Sequence, residues 1–200
     1  MSTVRRVAVA AAALAVGASL ASCQYLASTF PDVPTPAPTA AGTPAGTPAE
    51  TDMQRQMRID YEAAEKAYRN SSAAADKLVA KGATKPSKAL EAVATGEFVD
   101  LIMDLAKQVH DADYTSTGHT VIRGVVTAGW QEKKVKLIAC EDVSNVKLYD
   151  RDGKRVKGTN RTPYYVQHLT VVRTNASTWK VADLETTQVE TLDGQPCADT

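Results

Sequence analysis

Residues 133–141 read Lys-Lys-Val-Lys-Leu-Ile-Ala-Cys-Glu, and the fold turns on them. Val135, Leu137 and Ala139 alternate with Lys134, Lys136 and Ile138, a period of two that sends alternate side chains to opposite faces of a strand. The same character, rich in Val, Thr, Ile and Tyr, marks 114–128, 145–149, 164–174 and 178–190, so everything after Asp113 reads as strands. Asp150-Arg151-Asp152-Gly153 and Asn175-Ala176-Ser177 are turn signals between them.

Upstream of Asp113 the period changes to that of a helix. Met57, Tyr61, Ala64 and Tyr68 recur at i, i+4, i+7 and i+11, flanked by Ile59, Ala63 and Ala67, and Glu62–Lys66 is an i,i+4 pair in the favourable order. Gly82 is read as the stop, and Pro86 as part of the first turn of a short second helix. A third helix begins near Gly96 with Phe98, Leu101, Ile102, Leu105 and Val109 as its apolar stripe. Tyr and Met positions in these helices read as core. Helices first and an antiparallel sheet afterwards predict an α+β domain over 52–200, with the helices on one face of a curved sheet.

The chain has 200 residues, with 23 Lys+Arg and 23 Asp+Glu, and a net charge of zero offers no electrostatic footprint for nucleic acid. The N-terminus is a separate matter. Arg5-Arg6 precedes Val7–Leu20, 14 mostly small and apolar residues, against about 20 needed to span a bilayer. Length and flanks fit a signal peptide over 1–22, and Val7-Ala8-Val9 after the arginine pair suits the general secretory route better than the twin-arginine one. Leu20-Ala21-Ser22-Cys23 resembles the lipobox of bacterial lipoproteins. The resemblance implies cleavage between Ser22 and Cys23, diacylglyceryl and palmitate-type acyl chains on Cys23, and a membrane anchor; two or more chains hold where one is marginal. Residues 23–51 then form a linker, since Pro31–Pro48 holds six prolines and no bulky apolar period and cannot offset its ordering entropy. Fully extended, it would reach about 85 Å.

Lipidation of Cys23 leaves Cys140 and Cys197, and export to an oxidising compartment predicts a disulfide between them. It would close a 58-residue loop and tie the C-terminal tail to the 133–141 strand.

Taken in order, Cys140-Glu141-Asp142-Val143-Ser144, Asp150-Arg151-Asp152-Gly153-Lys154-Arg155-Val156, Thr178-Trp179-Lys180-Val181 and Cys197 resemble the C-terminal part of exported actinobacterial proteins with an NTF2-like (cystatin-like) fold, many of them lipoproteins of unknown function. The resemblance spans about residues 55–200 and implies a cone between helices and sheet. That fold serves isomerases, dehydratases, epoxide hydrolases and binding modules alike, so it does not choose a function.

No catalytic or metal-binding motif is legible. His110, His119 and His168 lack metal-site spacing, no Cys-x-x-Cys exists, and serine elbows, P-loops and dinucleotide fingerprints are absent, so no cofactor is expected. His110-Asp111-Ala112-Asp113 reads as a solvated helix end, and His168 as a sheet histidine that would become a general base only if it faced the cone. Tyr61, Tyr68, Tyr114, Tyr164 and Asp100 supply groups of the kind a cavity isomerase uses, without forming a motif. Lys147, Arg151, Lys154, Arg155, Lys157 and Arg161, against Asp150 and Asp152, give 147–161 a local charge of +4; this tip is the candidate contact for an anionic surface, against a plain solvated hairpin. The expectation is a non-enzymatic binding or assembly module, anchored to the outer face of the cytoplasmic membrane in the cell envelope, taking a partner protein or an apolar small molecule. The rivals are a cavity enzyme, isomerase or hydrolase, and a phage-encoded superinfection-exclusion lipoprotein.

Overall fold

The structure is a computed structural model that describes residues 49–156 and 162–198. The signal peptide, Cys23, the linker up to Pro48, Lys157 and Arg161 lie outside the described residues. Three helices come first: α1 (Asp52–Ala80), α2 (Lys88–Val93) and α3 (Glu97–Asp111). Six strands follow among the described residues: β1 (Thr115–Thr117), β2 (Val121–Gln131), β3 (Lys134–Asp142), β4 (Lys147–Tyr149), β5 (Tyr164–Arg173) and β6 (Trp179–Val189).

Helix α1 starts where its sequence says it can. Thr51 caps it through a reciprocal box with Gln54, which satisfies two otherwise orphaned donors. Its 29 residues run about 43 Å and bury Asp60, Ala64, Ala67, Tyr68, Ser71, Ala74, Ala75 and Leu78 on one side. Ile59, expected beside this stripe, is 46% exposed, because its phase points it away from the sheet. Gly82 ends the turn beyond α1 at φ +55°, where a Cβ would also crowd the His110 backbone at 3.0 Å. The cap of α2 is Ser87, whose hydroxyl accepts from Leu90 N; Pro86 therefore precedes the cap, two residues before Lys88, and is not in the first turn as expected.

The strand stretch expected over 114–128 is two strands in two sheets. Gly118 breaks it at φ +84°, with the Asn145 carbonyl where a Cβ would need to be. At the same corner Asp76 of α1 accepts from Thr120 N at 2.8 Å and Thr120 Oγ1 at 2.9 Å, tying β2's start to the helix. On one side of the break β1 pairs with β4; on the other, β2-β3-β5-β6 form a four-stranded antiparallel sheet. Register shifts in β2, after Ile122 and Thr127, and in β6 opposite Thr170/Val171, bend and twist this sheet, as bulges do.

The helices cover one face of the sheet, the α+β layering expected from the sequence. The inward rows change character along the strands. Val135, Val171 and Val181 form one row, Leu137, Leu169 and Leu184 the next, then Ala139, Gln167 and Thr186, then Glu141, Tyr165 and Gln188. The first two rows join Ala64, Ala67, Leu90, Phe98, Ile102 and Trp179 in the main core. The outward face has its own small cluster: Cys140, Val166 and Cys197, with Val126, Ile138, Val189 and Leu192 packed on it. The Cys140–Cys197 disulfide is formed, with Cα atoms 5.5 Å apart, and lays the tail across that outer face.

Candidate functional site

The last two inward rows do not close. Between them, α1, α3 and the β1/β4 pair lies a cavity of about 580 Å³. Its walls are largely apolar: Phe98, Leu101, Ile102 and Leu105 from α3, Ala75 and Val79 from α1, Leu148 from β4. The α3 stripe accordingly splits. Phe98 and Ile102 are buried, whereas Leu101 and Leu105 stay 37% and 40% exposed, since no described residue fills the space they face.

The polar floor is a chain of hydrogen bonds. Tyr68 Oη donates to Glu141 Oε1 at 2.5 Å, Gln167 Nε2 donates to Glu141 Oε2 at 2.7 Å, and Thr186 Oγ1 donates to Gln167 Oε1 at 2.7 Å. Glu141 is only 7% exposed. Burial raises its carboxyl above the ordinary range; the Tyr68 and Gln167 donors hold it down in part, and the charge of Asp76 adds to the rise. Burial, then the Glu141 charge, pushes the Tyr68 phenol well above its ordinary value, so it stays a neutral donor. A carboxyl held by a phenol and an amide at the foot of an apolar cavity can orient a polar group of a bound molecule, or exchange a proton with one.

Of the residues named as isomerase-type groups, Tyr68 and Tyr114 line this cavity and the others do not. Tyr61 sits in a shallower groove between α1 and β2; Asp100 is exposed in the first turn of α3; Tyr164 pairs in register with Asp142 on the outward side. His168 is exposed on the outer face, between Ile138 and Glu185, so the one histidine weighed as a base faces away from the cone. His110 is exposed in the last turn of α3, and His119 is exposed in the β1–β2 corner. Among the described residues no group of three or more His, Cys, Asp or Glu is placed to hold a metal ion.

Two further acids are buried, and both have arginines. Asp60 accepts from Gln56 Nε2 at 2.8 Å, Trp130 Nε1 at 2.9 Å and the Arg173 guanidinium, which stacks on Trp179 at 4.8 Å. Asp142 accepts from Arg123 Nη2 at 2.5 Å and from Ser144 N at 2.9 Å; hydrogen bonding from Ser144 and then Arg123 lowers it to about 2.

The basic tip is a hairpin around Asp150, which accepts from Asp152 N and Lys154 N, with Val156 N closing on Leu148 O. Lys147, Arg151, Lys154 and Arg155 are exposed on it, and Leu148 of β4 reaches the cavity wall. No helix among the described residues is long and apolar enough to cross a membrane.

No protein-family model matches the chain, and no curated relative does. Among solved structures it is similar to a Novosphingobium aromaticivorans protein provisionally named an aromatic ring hydroxylase, at TM-score 0.46 and 13% identity over 68% of this chain and 96% of that one. A second protein of that organism, provisionally named a scytalone dehydratase, gives 0.40 and 13% over 68% and 89%. A Catenulispora acidiphila protein gives 0.41 and 12% over 67% and 94%. Those names describe those proteins; at such identity their activities do not transfer.

Proposed function

We propose that this protein is an exported, lipid-anchored binding module of the cell envelope whose cavity takes a small, mostly apolar molecule with one polar end. The observation that carries this reading is the open inner half of the cone, about 580 Å³ with apolar walls and the Tyr68–Glu141–Gln167–Thr186 chain at its floor. A few convergent polar groups in an apolar concavity are the usual makeup of a small-molecule site. Export and anchoring rest on Arg5-Arg6, the 7–20 run and the Leu20–Cys23 lipobox, with the Pro/Thr/Ala linker as tether to the outer face of the cytoplasmic membrane. The exposed cations of the hairpin tip would add contact with anionic headgroups, at about 1 kcal/mol per cation near such a surface.

A second reading, a proton-transfer enzyme on the same cavity, is favoured by one observation: the buried Glu141 carboxyl in short contact with Tyr68. Native mass spectrometry of the oxidised protein after exposure to an envelope lipid extract tests both. A retained, defined mass that comes off chemically unchanged supports the binding module. A retained mass released as a different compound favours the enzyme, and the bare protein mass alone removes the cavity from the account.

A further inference from the structure

Asp60, Glu141 and Asp142 are the buried carboxylates among the described residues, at 1%, 7% and 4% exposure. Two have a guanidinium within hydrogen-bond reach, Arg173 for Asp60 and Arg123 for Asp142. Among the described residues Glu141 has only neutral donors, the Tyr68 hydroxyl and the Gln167 amide. Among the described residues no Lys, Arg or His lines the cavity that Glu141 borders, while a second acid, Asp76, does.

Two opposed effects act on the Glu141 carboxylate. Taking a carboxylate out of water is costly even after relaxation, and hydrogen bonds to the charged group return part of that cost. The two bonds to Glu141 offset its burial only in part, so the ionised form is left without full compensation. What would favour the ionised form is a positive charge from the cavity side, which the described residues leave open. An anion entering there would meet Glu141 and Asp76 together.

Resting on the cavity-binding reading above, we infer that the ligand is a cationic amphiphile: an ammonium-type nitrogen seated against Glu141, with an apolar body along Phe98, Leu101 and Leu105. The ligand supplies the counter-charge that Arg173 and Arg123 supply elsewhere in the fold. A free fatty acid of the same length is excluded by charge, and a neutral alcohol binds through the apolar walls alone.

Affinity for the cation also tracks the Glu141 proton. The titratable groups facing the cavity are Tyr68 and Asp76 of α1, Tyr114 before β1, Glu141 of β3 and Tyr165 of β5; α3 contributes none. Since burial raises the Glu141 carboxyl, acid favours its neutral form, and preference for the cation must fall as pH is lowered.

The probes are decylammonium, decanol and decanoate, titrated by calorimetry below their aggregation concentrations into the full chain. The expected order is ammonium over alcohol over carboxylate, with about tenfold or more between the first two at pH 8 and a smaller gap at pH 5. Glu141→Gln should bring ammonium and alcohol within about twofold of each other. The wild-type comparison needs no variant, so a poorly folding Glu141→Gln would not decide the matter. Equal binding of all three, or decanoate tightest, overturns the charge inference and keeps the cavity. No binding of any probe to the folded protein overturns the cavity reading, and the cationic ligand with it.

Discussion

The two ends of α1's inner face treat a buried acid in opposite ways. Near the N-terminus, Asp60 is buried and enclosed by Arg173, Trp130 and Gln56. Two to four turns further on, Tyr68 bonds directly to Glu141 at the edge of the open cavity that Ala75 and Asp76 also line, and among the described residues the Glu141 side chain bonds only to neutral groups. One helix and one sheet therefore build a closed, charge-compensated end and an open, uncompensated one. The lesson is that a buried carboxylate without its cation, beside unfilled apolar space, marks where something else belongs.

The most damaging way to test the contrast is to make the closed end resemble the open one. Arg173→Leu removes the cation from Asp60 and should cost about 3 kcal/mol or more in urea unfolding, because an uncompensated buried charge remains. A loss below about 1 kcal/mol would mean that the cation matters little to a buried acid here, and the contrast would be empty. Next in size, replacing Cys140 and Cys197 with Ala should cost about 2–4 kcal/mol by freeing a long loop in the unfolded chain. That change acts on the outer face, so probe binding by the variant that remains folded should be unaltered.

At the open end the expected sign reverses. The folded state holds the Glu141 proton more tightly than the unfolded chain does, so its contribution favours folding at low pH. That contribution is lost as pH rises from about 4.5 through the raised folded value. Glu141→Gln should therefore be at least as stable as wild type at pH 8, with its relative advantage shrinking towards pH 4. The Gln167 amide can turn over to match the new side chain, since Thr186 Oγ1 can accept as well as donate. Chemical denaturation at the two pH values reads this directly; a large loss at pH 8 would show that the carboxylate stabilises the fold. Smallest of all, reversing Arg151, Lys154 and Arg155 to Glu should change stability by no more than about 0.5 kcal/mol, yet weaken sedimentation with anionic liposomes at low salt. Unchanged or salt-insensitive sedimentation would leave the tip as a solvated hairpin.

Much of the layering was legible because it rests on period. The 3.6 spacing of α1 and α3 and the alternation at Val135, Leu137 and Ala139 place helices and sheet correctly, and the cysteine count pairs Cys140 with Cys197. What escaped was chemistry carried by the same periods. Glu141 is the next inward term after Val135, Leu137 and Ala139, and Asp60 lies in phase with Ala64, Ala67 and Ser71. A polar residue in an apolar phase is the signal that would have found both. The break at Gly118 was harder to foresee, since it depends on the Asn145 backbone arriving from 27 residues away. His168 could be assigned to a strand but not to a face, because its face is set by the register with Ile138 and Glu185.

The central claim is that the open half of the cone is a ligand site, and blocking it is the direct test. Thr186 is exposed on the inward row, so Thr186→Trp would fill the cavity without displacing core side chains. Fluorescence titration with the neutral probe N-phenyl-1-naphthylamine should show saturable one-site binding to the wild type. Thr186→Trp should bind about tenfold more weakly or worse, while its stability to unfolding falls only by about 1 kcal/mol, the worth of the lost Thr186–Gln167 hydrogen bond. Equal binding by both proteins, or no saturable binding by the wild type, would contradict the account.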